Sequence, residues 1–423
     1  MKFSKKILDS GLRFVLVPMR DNPSVTVLVM VEAGSKYETK ELNGLSHFLE
    51  HMVFKGTPKR PKAIDISREL DSIGAHYNAF TAQEFTGYYA KADARHFDKI
   101  LDVVSDMYLH PLFDEKEITK EKGVIIEEIR MYQDLPQRHV HDIFMQLLYG
   151  DQPAGWNVAG TEETVRSFNR EHFLKYRSEH YVSGATTVII AGAFDERAAE
   201  KAVEKAFAGV SAGAKAGKVP VKEAQTEPRV RTDFKETDQT HLVIGVRTFP
   251  VLDERMPAAA VLSTVLGRGM SSRLFSKMRD ELGICYYVKT DHDPFTDHGI
   301  LSISAGVDNA RVEEGIKGIL EECKHLKNES VPEVELKKAK DYIAGTTMLE
   351  LETSDARAEF CGYQEILKKM IEGPDQLIAK INKVSAAEVR KLASQIFTDD
   401  KLNMALIGRF KDGEAFKPYF KLA

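Results

Sequence analysis

The chain repeats itself once. Asp93-Ala94-Arg95 precedes a long amphipathic segment carrying Phe97, Ile100, Leu101, Val104, Met107 and Tyr108, and Asn309-Ala310-Arg311 precedes another carrying Val312, Ile316, Ile319, Leu320 and Cys323. The charged and apolar pattern of 115–128 returns at 333–346. The apolar run 186–195, with Gly192 and Phe194 near its end, is matched by 402–411, with Gly408 and Phe410. The offset stays near about 216 to 218 residues, a domain length rather than a solenoid period. Between the copies, 209–228 is rich in Ala, Gly, Lys and Pro and has no apolar periodicity, as in a linker. The chain is therefore expected to form two homologous domains, 1–208 and 229–423, joined by 209–228. At 423 residues it is long enough to bury more than one core.

Each half mixes strands and helices. Residues 13–18 and 25–31 read as a strand pair turned at Asp21-Asn22-Pro23. Asn43-Gly44 opens a helix, 63–73 forms another that ends near Gly74, and 75–80 with 86–90 reads as a second strand pair. Hairpins beside long helices predict an α+β fold, with each domain an α/β-sandwich-like body in which a mainly antiparallel sheet packs with helices.

Residues 47–51 read His47-Phe48-Leu49-Glu50-His51. Positions i, i+3 and i+4 share one face of a helix, so His47 and His51 can grip one ion with Glu50 beside it. Imidazole nitrogens suit Zn²⁺, and a carboxylate next to a metal-activated water is placed to act as a general base. A catalytic zinc takes three protein ligands. The segment 121–131 looks helical and offers Glu121, Glu127 and Glu128, among which spacing alone does not choose. In the repeat, Ala339 stands opposite Glu121 and Thr346 opposite Glu128, and no His-x-x-Glu-His string occurs. Carboxylates kept only beside the histidines favour a metal role over a folding role.

Composition narrows the alternatives. A net charge of −5 argues against nucleic acid as a partner. No run approaches the roughly 18 apolar residues of a membrane helix, so no membrane role is expected. Three cysteines, Cys285, Cys323 and Cys361, show no metal-ligand spacing and suit a reducing, cytoplasmic location. The glycine-rich stretch 267–275 lacks the phosphate-loop pattern.

The string His47-Phe48-Leu49-Glu50-His51, with Glu128 after 76 intervening residues, resembles the M16 metallopeptidases, and the duplicated body resembles their shorter, processing-peptidase-like branch. The reversed order of the motif is the inverzincin arrangement. The resemblance implies that His47, His51 and Glu128 hold one Zn²⁺ per chain and that Glu50 is the base. It implies that Glu121 supports the site, that Asp142 orients a ligand histidine from outside it, and that Asn78 and Ala79 hold extended peptide at a sheet edge. Arg279 and Tyr286, seven residues apart, match substrate-binding groups that approach from a partner subunit, which implies a homodimer or a heterodimer with a related chain. Phe48, Met52 and Phe54 form a stripe expected to pack, with Phe48 also a candidate substrate contact. The expectation is a zinc endopeptidase acting on peptides or extended segments. The alternative is a non-catalytic or metal-binding assembly subunit.

Overall fold

The computed structural model describes residues 1–422. Two sheets carry the repeat. The first contains β1 (Ser4–Ile7), β2 (Arg13–Pro18), β3 (Ser24–Val31), β4 (His76–Thr81), β5 (Thr86–Asp93) and β6 (Thr186–Gly192), in the order β1-β2-β6-β3-β5-β4. The second contains β7 (Arg229–Phe234), β8 (Gln239–Thr248), β9 (Cys285–Pro294), β10 (Gly299–Asp308) and β11 (Asn403–Gly408), in the order β7-β11-β8-β10-β9. Apart from β1, the two orders are the same. Both sheets are antiparallel except at one pair, β2 with β6 and β7 with β11. The expected pair of mixed α/β domains is what the chain forms.

One expected pairing is corrected. β2 and β3 are not neighbours, because β6 lies between them, parallel to β2 (Arg13 opposite Thr187) and antiparallel to β3 (Val25 opposite Gly192). β6 is buried along its whole length. A continuously apolar strand belongs at a sheet centre, with a partner on each edge. Gly192 makes the close approach possible. Its φ is +128°, and a Cβ there would stand 2.2 Å from the Ser24 carbonyl oxygen.

The first sheet is apolar on both faces. Val25, Val27, Val29 and Val31 of β3 point to one side, as strand alternation requires. They join α1 (Leu45–Val53), α2 (Ala63–Asp71), α3 (Phe97–Leu109) and α4 (Glu115–Asp134) in one core. Leu28 and Met30 point to the other side, with Val15, Val17, Ile189 and Ala191. That face is covered by Ala358, Cys361 and Ile366 of the helix Ser354–Lys368, which comes from the other sequence half. The second sheet is treated alike. Val140, Ile143, Phe144 and Leu148 of α5 (Pro136–Tyr149) cover Val243, Ile300, Ala405 and Ile407.

The compact units are therefore not the sequence halves 1–208 and 229–423. One unit is Met1–Arg130, Trp156–Val219 and Met348–Gly373, and the other takes Met131–Gly155, Pro220–Thr347 and the chain from Pro374 on. Each half lends one helix to the other unit. The segment 209–228 divides between them at Val219 and Pro220.

A buried ion cluster holds the lent helix end in the first unit. Glu32, at the end of β3, accepts from Arg13 at 2.7 Å, from Lys215 at 2.8 Å and from Lys369. Glu365 of the same lent helix pairs with Lys5 at 2.7 Å and Arg13 at 3.5 Å. Burial alone would raise the Glu32 pKa, but Lys369, Lys215 and Arg13 outweigh it and hold it below its ordinary value. The stabilisation is thus complete above the usual carboxylate range and is lost as pH falls through the lowered value. Glu32→Ala, which leaves Arg13 buried without this partner, is expected to lose about 3 kcal/mol in denaturant unfolding and to flatten the acid limb of the stability profile. A change below about 0.5 kcal/mol, the usual scale of neutral surface substitutions, would rule out this role.

Candidate metal centre

The helix α1 starts at Gly44, whose φ of +98° and crowded site exclude a side chain: a Cβ would lie 2.6 Å from the Ala159 carbonyl oxygen. Leu45, Phe48, Leu49 and Met52 point into the core, which leaves His47, Glu50 and His51 on the remaining face. The two imidazole centroids are 4.7 Å apart.

α4 supplies the facing carboxylates. Glu121 and Glu128 lie on one face, while Glu127 is exposed and pairs with Arg130 at 2.8 Å. Glu128 Oε2 is 3.7 Å from His47 Nε2 and 3.5 Å from His51 Nε2. Donors about 2.1 Å from one tetrahedral centre stand about 3.4 Å apart, so His47, His51 and Glu128 fit a divalent ion with nitrogen and oxygen ligands. Their ligand atoms all lie within 4.8 Å of one another. Of Glu121, Glu127 and Glu128, among which spacing left the question open, Glu128 is the one whose oxygen converges with both histidine nitrogens.

Glu121 does something else. Its Oε1 is 2.9 Å from His51 Nδ1, and its Oε2 takes Lys55 Nζ at 2.6 Å. With Nδ1–H donating to Glu121, the Nε2 lone pair of His51 faces Glu128, the tautomer that metal ligation needs. Burial acts to lower the His51 pKa, but Glu121 and Glu128 outweigh it and raise it to about 9. Burial likewise raises Glu121, and His51 and Lys55 bring it below its ordinary value.

Glu50 is held at one oxygen only. Thr81 Oγ1, at the end of β4, donates to Oε2 at 2.6 Å, and Oε1 has no hydrogen-bond partner among the described residues. Burial raises its pKa and Glu128 adds to the effect, outweighing Thr81 and His51. A carboxylate raised in this way is a stronger base. Neither Thr81 nor Lys55 was singled out from sequence. Thr81 closes the β4 stretch that carries Asn78 and Ala79, but only the packed fold brings it to Glu50.

The other expected residues are placed as follows. β4 is the edge strand of its sheet, so its outer backbone edge is open to an added strand. Asn78 on it is exposed, and the Ala79 side chain is buried. Arg279, in the short wide-wound helix Ser276–Glu281, donates to the Tyr286 carbonyl oxygen, and its guanidinium stands 5.3 Å from the Tyr286 ring. The Tyr286 residue is 72% exposed. The structure thus pairs these two residues, within the second unit. Phe48 is corrected: it is 0% exposed and packs edge-on against Phe168 and Phe173, so it is core and out of reach of substrate. Asp142 lies on α5, in the second unit, and faces His139 at 3.6 Å; the group on the His51 Nδ1 atom is Glu121.

Comparison with known proteins gives a consistent picture. Residues 13–162 match the family described as Insulinase (Peptidase family M16), and 167–343 match the Peptidase M16 inactive domain. An uncharacterized zinc protease of Bacillus subtilis, YmxG, is 38% identical over 93% of this chain and 95% of its own length. A protease from Helicobacter pylori superposes with a TM-score of 0.88 at 22% identity, covering 96% of this chain and 99% of that one. A chain of complex III2 from Candida albicans superposes with a TM-score of 0.84 at 17% identity, covering 97% and 96%. These last two likenesses show the fold.

Proton and cation compete for His51 Nε2. Below pH about 9 the neutral imidazole becomes scarcer as pH falls, so apparent zinc affinity is expected to drop about tenfold per pH unit for this one proton. Chelator competition between pH 6.5 and 8.5 measures it, and loading should release protons. Glu121→Gln should weaken the dependence. An affinity that does not change with pH would contradict the assigned contacts.

Proposed function

This chain belongs to peptidase family M16, and from that premise we propose that it is a zinc-dependent endopeptidase acting on peptides or extended segments. The observation that carries the reading is the local arrangement of α1 and α4. Two imidazoles and the Glu128 carboxylate converge, and Glu50 stands beside them with one oxygen fixed and the other free.

When bound, zinc supplies Lewis acidity, polarising the scissile carbonyl and making water easier to deprotonate. His47, His51 and Glu128 would hold it. Glu121 keeps the His51 tautomer correct, and Lys55 keeps Glu121 in place. Glu50 Oε1 takes a proton from the attacking water as the new C–O bond forms. It returns that proton to the amine nitrogen as the C–N bond breaks, so the base ends as it began. Thr81 keeps the Glu50 carboxylate from rotating away. The open edge of β4, with Asn78 exposed, supports a role in holding substrate through backbone hydrogen bonds. The exposed Tyr286 and the neighbouring Arg279 are suited to steady the carbonyl oxygen or the chain of a bound peptide. We assign that role to groups delivered from a partner copy or a related chain.

The alternative, a non-catalytic or metal-binding assembly subunit, draws support only from the fold, which is also found in the complex III2 chain. It gives no reason for a free Glu50 oxygen beside the triad. A quenched peptide substrate, assayed with and without a chelator, separates the readings. Activity should vanish with chelator and return with zinc. Glu50→Gln should keep bound zinc and lose at least about 10²-fold in kcat, whereas Glu128→Gln should lose zinc as well. Wild-type turnover by Glu50→Gln would refute the assignment of the base.

A further inference from the structure

The helix that carries His47 and His51 has no cap of its own. Gly44 occupies the N-cap position and has no side chain to offer its first amides. An uncapped buried helix end is costly, because its leading N–H groups have no partner within the helix. Here the partner is Glu38, which stands outside the helix in an extended backbone conformation. Its Oε1 accepts from the Ser46 backbone N–H at 2.7 Å. Its Oε2 accepts from the Gly44 backbone N–H at 2.8 Å and from Asn43 Nδ2 at 3.2 Å.

Glu38 is 4% exposed, and no cation lies within ion-pair distance of it among the described residues. Glu32, Glu121 and Glu365, also buried in this unit, each pair with a lysine, and Glu32 and Glu365 with Arg13 as well. A buried carboxylate without a cation costs several kcal/mol unless dipoles replace the water it lost. The positive end of α1 and the Asn43 amide do so here. A Ser or Asp at position 44 would be the ordinary cap, but the crowding at Gly44 forbids one, so the capping bonds fall to Glu38.

What Glu38 holds is informative. Ser46, the residue immediately before His47, is fixed twice. Glu38 holds its backbone, and Tyr176 meets its hydroxyl at 2.7 Å. Rotation of a helix moves every side chain on its surface together. A small turn of α1 would carry both imidazoles away from Glu128, and metal donors tolerate displacements of only a few tenths of an ångström. We propose that Glu38 is a positioning residue for the metal centre, fixing the axial position and rotation of α1 so that His47 and His51 meet Glu128. This rests on the zinc reading above.

Glu38→Gln in the full chain tests it. The amide keeps the shape but turns a donor toward either Gly44 or Ser46. Zinc affinity by chelator competition should weaken at least about tenfold, and the visible absorption of the cobalt-substituted protein should change. With peptide, kcat should fall while KM stays near the wild-type value, and the far-ultraviolet dichroism should be retained. A folded Glu38→Gln with wild-type zinc affinity and cobalt spectrum, and only a lower melting temperature, would reduce Glu38 to a stability role and overturn the proposal. Should that variant not fold, Asn43→Ala, which removes one donor to Glu38 from outside the helix, is read by the same measurements and decides the same way. If the wild-type chain itself binds no zinc, the functional reading fails, an outcome distinct from failure of the Glu38 assignment.

Discussion

Both faces of each sheet are apolar, and a sheet of that kind has to be covered twice. Strand β6 is buried from end to end, and β3 alternates between two cores, Val25, Val27, Val29 and Val31 on one and Leu28 and Met30 on the other. Removing roughly 25 cal/mol per Å² of apolar surface from water is the main force available to do it. The local helices α1 to α4 cover one face. The other takes the helix Ser354–Lys368 from the far half of the sequence, and in the second unit α5 plays the same part. Neither unit is complete as a continuous sequence half, and this follows from the two-sided burial rather than from any single contact.

The same packing aims the chemistry. Because Leu45, Phe48, Leu49 and Met52 are committed to the core, the three polar residues of the motif have one direction left. α4 presents Glu121 and Glu128 there because Ile118, Ile125 and Ile129 are likewise committed inward. The result concentrates carboxylates around two histidines. Glu121 and Glu128 raise the pKa of His51, and burial raises that of Glu50. A divalent cation would answer both, taking the place of a proton on imidazole and offsetting the negative charge. Glu38, at the other end of the helix, is a fourth carboxylate whose partners are amides instead of cations.

The duplication shows which of these features belong to the fold and which to the chemistry. The helix Glu333–Glu350 matches α4 in position but has Ala339 and Thr346 where α4 has Glu121 and Glu128. It folds without them. The second unit instead carries the adjacent Arg279 and Tyr286, the latter at the start of the edge strand β9.

Much of this was legible in the chain. The duplication, the mixed α/β class and the pairing of β4 with β5 follow from periodicity and turn residues, which are local. The facing of His47, Glu50 and His51 follows from helical spacing, also local. The sequence by itself thus determined the kind of elements and the kind of chemistry. Tertiary structure alone decided the insertion of β6 between β2 and β3 and the exchange of helices between units, and it brought Glu128, not Glu127, to the two histidines. It also placed Thr81 on Glu50 and Glu38 on the helix start, and left Phe48 no substrate role beside its expected packing. Each of these joins groups far apart in the chain, and their meeting depends on which apolar surfaces bury together, a property of the whole packed core that no local pattern carries.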